Sequence, residues 1–284
     1  MPPQFPYHPE GVWPELSPCW VWLVGAGPGD PGLLTLNALN AIHQADVIVY
    51  DALVADEILA WAQDGVELRF AGKRGGRPSP KQKDISLTLI ELARSGKRVV
   101  RLKGGDPFMF GRGGEEALTL VRAGVPFKIV PGVTAGVGGL AYAGIPATHR
   151  DINQTVTFVT GHDHTGETPL AVDWAALATG SQVIVVYMGI KHLAQISAKL
   201  IAGGRDPNEP VAIVTHATLP HQSVLETTLA KADVDAKAQG AAAPAIICIG
   251  RAVNMRQALD WFASAAPAKP PEIDRRDAAY RAST

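Results

Sequence analysis

A chain of 284 residues, 46% hydrophobic and 19% charged, has the composition of an ordinary globular protein and the length of about two domains. Its formal net charge of -1 excludes a global electrostatic pull toward nucleic acid or an anionic membrane, so any basic patch has to be local. Two cysteines, Cys19 and Cys248, are too few for a disulfide framework and too far apart for a metal motif; they read as buried thiols in a reducing cytosol.

In chain order, residues 1–17 carry five prolines and no periodicity, which predicts a loose N-terminal arm without the regions of a signal peptide. A strand over 20–24 feeds Gly25-Ala-Gly-Pro-Gly-Asp-Pro-Gly32, a helix over 33–44 and a strand over 46–50. A helix over 55–63 and a strand over 66–70 precede a loop over 72–83 rich in Gly, Pro, Lys and Arg. An amphipathic helix over 85–94 leads to a strand over 97–102, a glycine-rich loop, a helix over 115–122 and a strand over 127–130. Pro131-Gly-Val-Thr-Ala135 then opens another helix. The pattern weakens over 142–153, which reads as a linker. Beyond it come strands over 155–160, 182–187, 210–214 and 245–249 and an extended stretch over 222–229. Helices are expected near Trp174, over 191–202, near Asp233 and over 255–263, before a Pro-rich and then charged tail over 267–284. No apolar run reaches membrane-spanning length, so the expectation is soluble and cytoplasmic. The alternation predicts two α/β domains, 18–141 and 154–266, with mainly parallel or mixed sheets and the active site in the cleft between them.

The loop after the 97–102 strand is the centre of the chain. Gly104, Gly105, Gly111, Gly113 and Gly114 allow positive φ and close approach of a ligand to the backbone. Open α/β sheets bind ligands at such strand ends. With Arg101, Asp106, Arg112 and two exposed-looking aromatics, Phe108 and Phe110, the loop carries more chemistry than a connection requires; a tight turn with solvated charges is the plainer alternative.

The segment Gly27-Pro-Gly-Asp-Pro-Gly32 matches G-x-G-x-x-G, and Asp51 ends the next strand. Pro28 and Pro31 lack the N–H groups that pyrophosphate needs, and Asp30 brings negative charge to its place. The segment therefore reads as a tight loop lining the cleft, ahead of an NAD site. The 72–83 loop gathers Lys73, Arg74, Arg77, Lys81 and Lys83 with no acidic residue, either to capture a polyanion or as a solvated surface. Asp51 either accepts a proton or positions a ligand N–H, or it is a capping or turn residue. Thr134 caps a helix or faces a pocket, and Met188 fills core or lines that pocket. Arg150 contacts an anionic substrate or belongs to a polar linker. Gly161-His-Asp-His-Thr-Gly166 lacks a third ligand at metal spacing, so no metal is expected.

Six segments occur in order: Gly25-Ala-Gly-Pro-Gly-Asp-Pro-Gly32, Val49-Tyr-Asp-Ala-Leu-Val54, Gly72-Lys-Arg74, Arg101-Leu-Lys-Gly-Gly-Asp-Pro-Phe108, Pro131-Gly-Val-Thr-Ala135 and Tyr187-Met-Gly189. The series closely resembles the tetrapyrrole methylase family over residues 20–263. The resemblance implies S-adenosylmethionine as cofactor, held between the two domains and released as S-adenosylhomocysteine, with no metal. By position it implies cofactor contacts from Pro28, Gly104, Gly105, Asp106, Met109, Thr134, Ala135, Met188 and Ala217. Thr215-His-Ala-Thr218 departs from the Asn-Gly sequence of some members, so Ala217 would contribute through its backbone. Asp51 and Lys73 fall where some members are assigned a proton acceptor and a proton donor. Arg74, Arg77, Arg112 and Arg150 have substrate carboxylates to bind.

The implied reaction is C-methylation of uroporphyrinogen III at C-2 and then C-7, giving precorrin-2 through precorrin-1, toward cobalamin or sirohaem. The family is dimeric, so a homodimer is expected, with no nucleic-acid or membrane partner. The rivals are a later precorrin C-methyltransferase of the same fold, an NAD-dependent oxidoreductase built on 27–32, and a non-enzymatic module that binds anionic tetrapyrroles. The segments at 50–53 and 72–74 favour the first-step methyltransferase.

Overall fold

A computed structural model describes residues 13–72, 82–162 and 166–262. In the first half, β1 (Val21–Gly25), β2 (Val47–Tyr50), β3 (Glu67–Phe70), β4 (Val99–Lys103) and β5 (Phe127–Val130) pair in the order β3-β2-β4-β1-β5, and every pair is parallel. The unbroken apolar runs at β1 and β2 fit this, because a parallel sheet covered on both faces buries both sides of its strands. The helices α1 (Leu36–Gln44), α2 (Asp56–Leu59), α3 (Gln82–Arg94) and α4 (Gly113–Arg122) lie in the connections, and α5 (Ala135–Tyr142) follows β5. One core packs Trp22, Val24, Ile48, Val100 and Leu102 against Ile42 of α1. The other packs Val21, Leu23 and Val99 against Leu89 of α3 and Leu120 of α4. Because all five strands run the same way, Gly25, Asp51, Gly72, Gly104 and Gly132 all sit at or just beyond one edge of the sheet.

The second sheet holds β6 (Val156–Thr160), β7 (Val183–Tyr187), β8 (Pro210–Thr215), β9 (Ser223–Thr228) and β10 (Ala245–Ile249) in the order β6-β7-β10-β8-β9. Here β6 and β7 are parallel and joined by a connection containing α6 (Trp174–Gly180), while the other three pairs are antiparallel. The short 216–222 turn allows β8 and β9 only a hairpin, which is antiparallel by geometry. The helices α7 (Leu193–Ala202) and α8 (Ala232–Ala238) cover one face through Leu193, Ile196, Leu200, Ala232 and Ala236.

Some boundaries differ from the sequence reading, each for a local reason. The helix expected over 33–44 starts at Leu36, because Pro31–Leu33 form a 3-10 turn capped by Asp30 and the Thr35 hydroxyl then accepts from the Ala38 N–H at 3.1 Å. The helix expected over 55–63 shrinks to α2, which has no side-chain cap. The one expected over 255–263 becomes a 3-10 turn, Arg251–Met255, and the single turn α9 (Arg256–Leu259), after which the Trp261 indole donates to the Ala141 carbonyl at 2.9 Å. The described end of the expected loose arm is held down: Pro14 O accepts from the Asn40 and Gln44 side chains, and Leu16 is buried. Cys19 is exposed in a turn with φ 68°, not buried; Cys248 is buried in β10. Among the described residues no helix is long and apolar enough to cross a membrane.

Candidate active site

At the edge of the first sheet the exits of β1, β4 and β5 meet backbone to backbone. Gly27 N donates to Gly105 O at 3.1 Å and Gly105 N to Gly27 O at 2.6 Å. A Cβ on Gly132 would lie 2.3 Å from Gly105 O, and one on Gly25 would lie 2.6 Å from Gly132 Cα, so neither position has room for a side chain. Asp106 fastens the arrangement. Its Oδ1 accepts from Phe108 N at 2.8 Å and its Oδ2 from Gly132 N at 3.0 Å. The central loop is thereby tied to the exit of β5, and each carboxylate oxygen still has a free lone pair. A Cβ on Gly104 would lie 2.7 Å from Leu53 Cβ, which places the loop after β2 against the same glycines.

The second sheet reaches this edge through Tyr187, at the end of β7. Thr134 occupies the N-cap position of α5, yet its hydroxyl does not bond a helix N–H; it meets the Tyr187 phenol at 2.7 Å. Gly136 N donates to the same phenol oxygen at 2.7 Å, so a tyrosine of one sheet caps a helix of the other. Burial pushes the phenol's pKa above its ordinary value. The Phe110 ring lies 4.9 Å from the Tyr187 ring, and Met109 and Ala135 pack on the apolar cluster beneath the second sheet. Met188 follows with φ 55° and is 42% exposed. Ala217 lies against α5, where a Cβ on Gly139 would come within 2.8 Å of its own, and Pro28 lies beside Gly138. The structure therefore brings Pro28, Gly104, Gly105, Asp106, Met109, Thr134, Ala135, Met188 and Ala217 into one neighbourhood.

Sequence reasoning placed Tyr187 in a motif at a strand end but gave the residue itself no role. The only signal was an aromatic with a polar tip ending a strand, at a position where such a residue has a partner when buried. Replacing it with Phe should strip the N-terminal cap from α5 at a cost of about 1–2 kcal/mol, lowering the thermal midpoint by about 2–8 °C. An unchanged melting curve would mean that Gly136 N is satisfied without the phenol.

Strained backbone gathers in the same loops. Phe110, Arg112, Met188, His216 and Thr218 all have φ between 49° and 68°, in the left-handed region that non-glycine residues seldom occupy. Such outliers collect where a rigid frame holds ligand-facing loops.

The 27–32 segment is a brace. A Cβ on Gly29 would lie 2.9 Å from the Leu219 side chain, and Asp30 N donates to Thr218 Oγ1 at 2.9 Å. Asp30 Oδ1 accepts from Gly32 N at 2.7 Å and Oδ2 from the Tyr142 hydroxyl at 2.5 Å, a bond that helps push that phenol up to about 12. Gln222 closes the group, accepting from Thr218 N and donating to Tyr142 O. Leu219, Thr218 and Tyr142 stand where a dinucleotide pyrophosphate would need open backbone amides, which removes the physical basis of the NAD reading.

Arg101, grouped with the loop's chemistry on sequence, is in fact buried below it. Its guanidinium meets Asp51 Oδ1 at 2.5 Å and Glu116 Oε1 at 3.1 Å. Asp51 itself remains 28% exposed in its side chain. Arg112 pairs with Glu115 on the surface of α4 at 2.7 Å. Arg150 is exposed in the turn closed by the His149–Asn153 bridge, and no contact among the described residues joins it to the other motifs. Lys73, Arg74 and Arg77 lie outside the described residues, although Gly72 packs against Ala52 beside Asp51.

Comparison with known proteins gives a consistent set of likenesses. The family described as Tetrapyrrole (Corrin/Porphyrin) Methylases matches residues 21–233. The chain is 64% identical over 249 residues to a uroporphyrinogen-III C-methyltransferase of Sinorhizobium sp, covering 88% of this chain and 89% of that one. It is 51% identical over 242 residues to siroheme synthase 1 of Yersinia enterocolitica, covering 85% of this chain but only 50% of the relative, so it spans about half that protein's length. The crystal structure of uroporphyrin-III C-methyl transferase from Thermus thermophilus complexed with S-adenyl homocysteine superposes with a TM-score of 0.71 at 39% identity, covering 82% of this chain and 98% of that one.

Proposed function

The chain belongs to the tetrapyrrole (corrin/porphyrin) methylases, and from that membership we propose that it transfers methyl groups from S-adenosylmethionine to uroporphyrinogen III. The observation that carries the reading is the 64% identity to the Sinorhizobium enzyme over 88% of this chain and 89% of that one. The fine reading is methylation at C-2 and then C-7, giving precorrin-2 through precorrin-1. Its setting is a cytoplasmic homodimer whose domains, 18–141 and 154–266, flank the reacting groups.

S-adenosylmethionine would supply an electrophilic sulfonium methyl, and the groups at the strand exits fit such a molecule. Gly104 and Gly105 offer bare backbone, and Thr134 a hydroxyl already oriented by Tyr187. Met109, Met188 and Ala217 offer apolar surface, with Pro28, Asp106 and Ala135 completing the proposed contacts. These loops are cross-tied, and fixed loops supply the alignment that methyl transfer between two bound partners requires. Asp51, ionically anchored but partly exposed, is the proposed acceptor of the proton that the macrocycle loses once its new C–C bond has formed. Lys73 is the proposed proton donor. Arg74, Arg77, Arg112 and Arg150 are the proposed partners of the substrate's carboxylates.

The test is an anaerobic incubation with uroporphyrinogen III and isotopically labelled S-adenosylmethionine, read by mass spectrometry of the tetrapyrrole. Two labelled methyl groups are expected. An unlabelled tetrapyrrole, with cofactor binding intact, would redirect the reading to a later precorrin as substrate.

A further inference from the structure

Asp51 is backed by more charge than its anchoring needs. Arg101 and Lys103 stand two residues apart on β4 and therefore on one face, in a strand flanked by β2 and β1. Glu116, in the first turn of α4, reaches both: Oε1 lies 3.1 Å from Arg101 Nε, and Oε2 lies 3.2 Å from Lys103 Nζ. Lys103 Nζ is also 3.8 Å from Asp51 Oδ2. The side chains of Arg101, Lys103 and Glu116 are 2%, 3% and 0% exposed against 28% for Asp51, so the cluster meets its surroundings through Asp51.

The bond from Arg101 would alone hold the carboxylate in place; Lys103 and Glu116 form a second pair, equal and opposite in charge. The Lys103 stem runs beneath the central loop, its Cε 3.4 Å from where a Gly111 Cβ would sit. Burial and then the charge of Arg101 depress the Lys103 pKa, against the pull of Glu116 and Asp51. The neighbouring charges are paired among themselves, Arg112 with Glu115 on α4 and Arg69 with Glu67 on β3.

We propose that Lys103 and Glu116 are positioning residues that set the electrostatic balance around Asp51, and with it the pH at which Asp51 takes the proton from the substrate. This rests on Asp51 being the proton acceptor. The pair never touches substrate; it acts through the carboxylate. Lys103 places a positive charge beside the Asp51 carboxylate, and Glu116 offsets the excess of two cations on one strand face.

The experiment is the pH dependence of kcat with uroporphyrinogen III, alongside binding of S-adenosylhomocysteine. Lys103→Met removes a cation next to a carboxylate and should move the acid limb up by about one pH unit. Glu116→Gln removes an anion and should move it down. The double variant Lys103→Met/Glu116→Gln restores neutrality, and Lys103→Arg keeps the charge; both should fold and show the wild-type limb. Opposite shifts in the single variants, or, if these do not fold, a wild-type limb in both of the others, support the proposal. A limb that stays put while kcat falls, or a double variant that does not fold, overturns it and assigns the pair to the scaffold. A wild-type protein without turnover, or an acid limb that survives Asp51→Asn, would instead sink the reading on which the proposal stands.

Discussion

Asp106→Ala is expected to weaken S-adenosylmethionine binding by about five- to a hundredfold, because it removes the acceptor of two backbone donors at once. Phe108 N and Gly132 N both end on that carboxylate; the first is open to water, and the half-buried second, left unsatisfied, costs about 1–3 kcal/mol. That loss falls on the loop that offers Gly104 and Gly105 to the proposed cofactor, and each 1.4 kcal/mol is about a tenfold change in affinity. Asp106→Asn is a useful companion, since its amide leaves one oxygen to accept but places an N–H₂ group opposite the other donor. Isothermal titration with S-adenosylmethionine and S-adenosylhomocysteine reads both variants. An unchanged dissociation constant would move the cofactor away from the central loop.

The second large effect is kinetic. Asp51→Asn keeps the size of the side chain and one acceptor for Arg101 but removes the base, so kcat should fall by about 10²–10⁴-fold while the dissociation constant for S-adenosylhomocysteine stays put. Single-turnover assays separate the two. A matching loss of cofactor affinity would show that Asp51 serves to hold the sheet edge together through Arg101, and that the proton leaves by another route.

The strands of the first sheet were legible because runs such as Val47–Tyr50 are apolar without alternation, and a strand buried on both faces has to look that way. The glycine loops were legible for a related reason: a chain spends Gly25, Gly27 and Gly29, or Gly104 and Gly105, in close succession at a strand end where backbones come together. What lay beyond reach depended on pairings distant in sequence. Arg101 read as part of the loop's charges and Lys103 was not singled out; only the strand order β3-β2-β4-β1-β5 reveals that both stand on a central strand, where Asp51 and Glu116 neutralise them. Tyr187 was hidden for the same reason, its partner Gly136 being 51 residues away in the other sheet unit. The short α2 and α9 were overcalled because apolar periodicity marks a buried face without marking where the chain must turn. The basic segment around Lys73, Arg74 and Arg77 falls outside the described residues.

The fastening at Asp30 bears on how a large ring gets in. Swinging the two halves apart like jaws would tear Asp30 from Thr218 and Tyr142 from Gln222, two bonds that sit side by side. The two units are fastened both here and through the Tyr187 phenol on Thr134 and Gly136, so parting them as rigid bodies would break both sets of bonds, while Leu53, Phe108 and Met188 stand exposed on the loops at the strand exits.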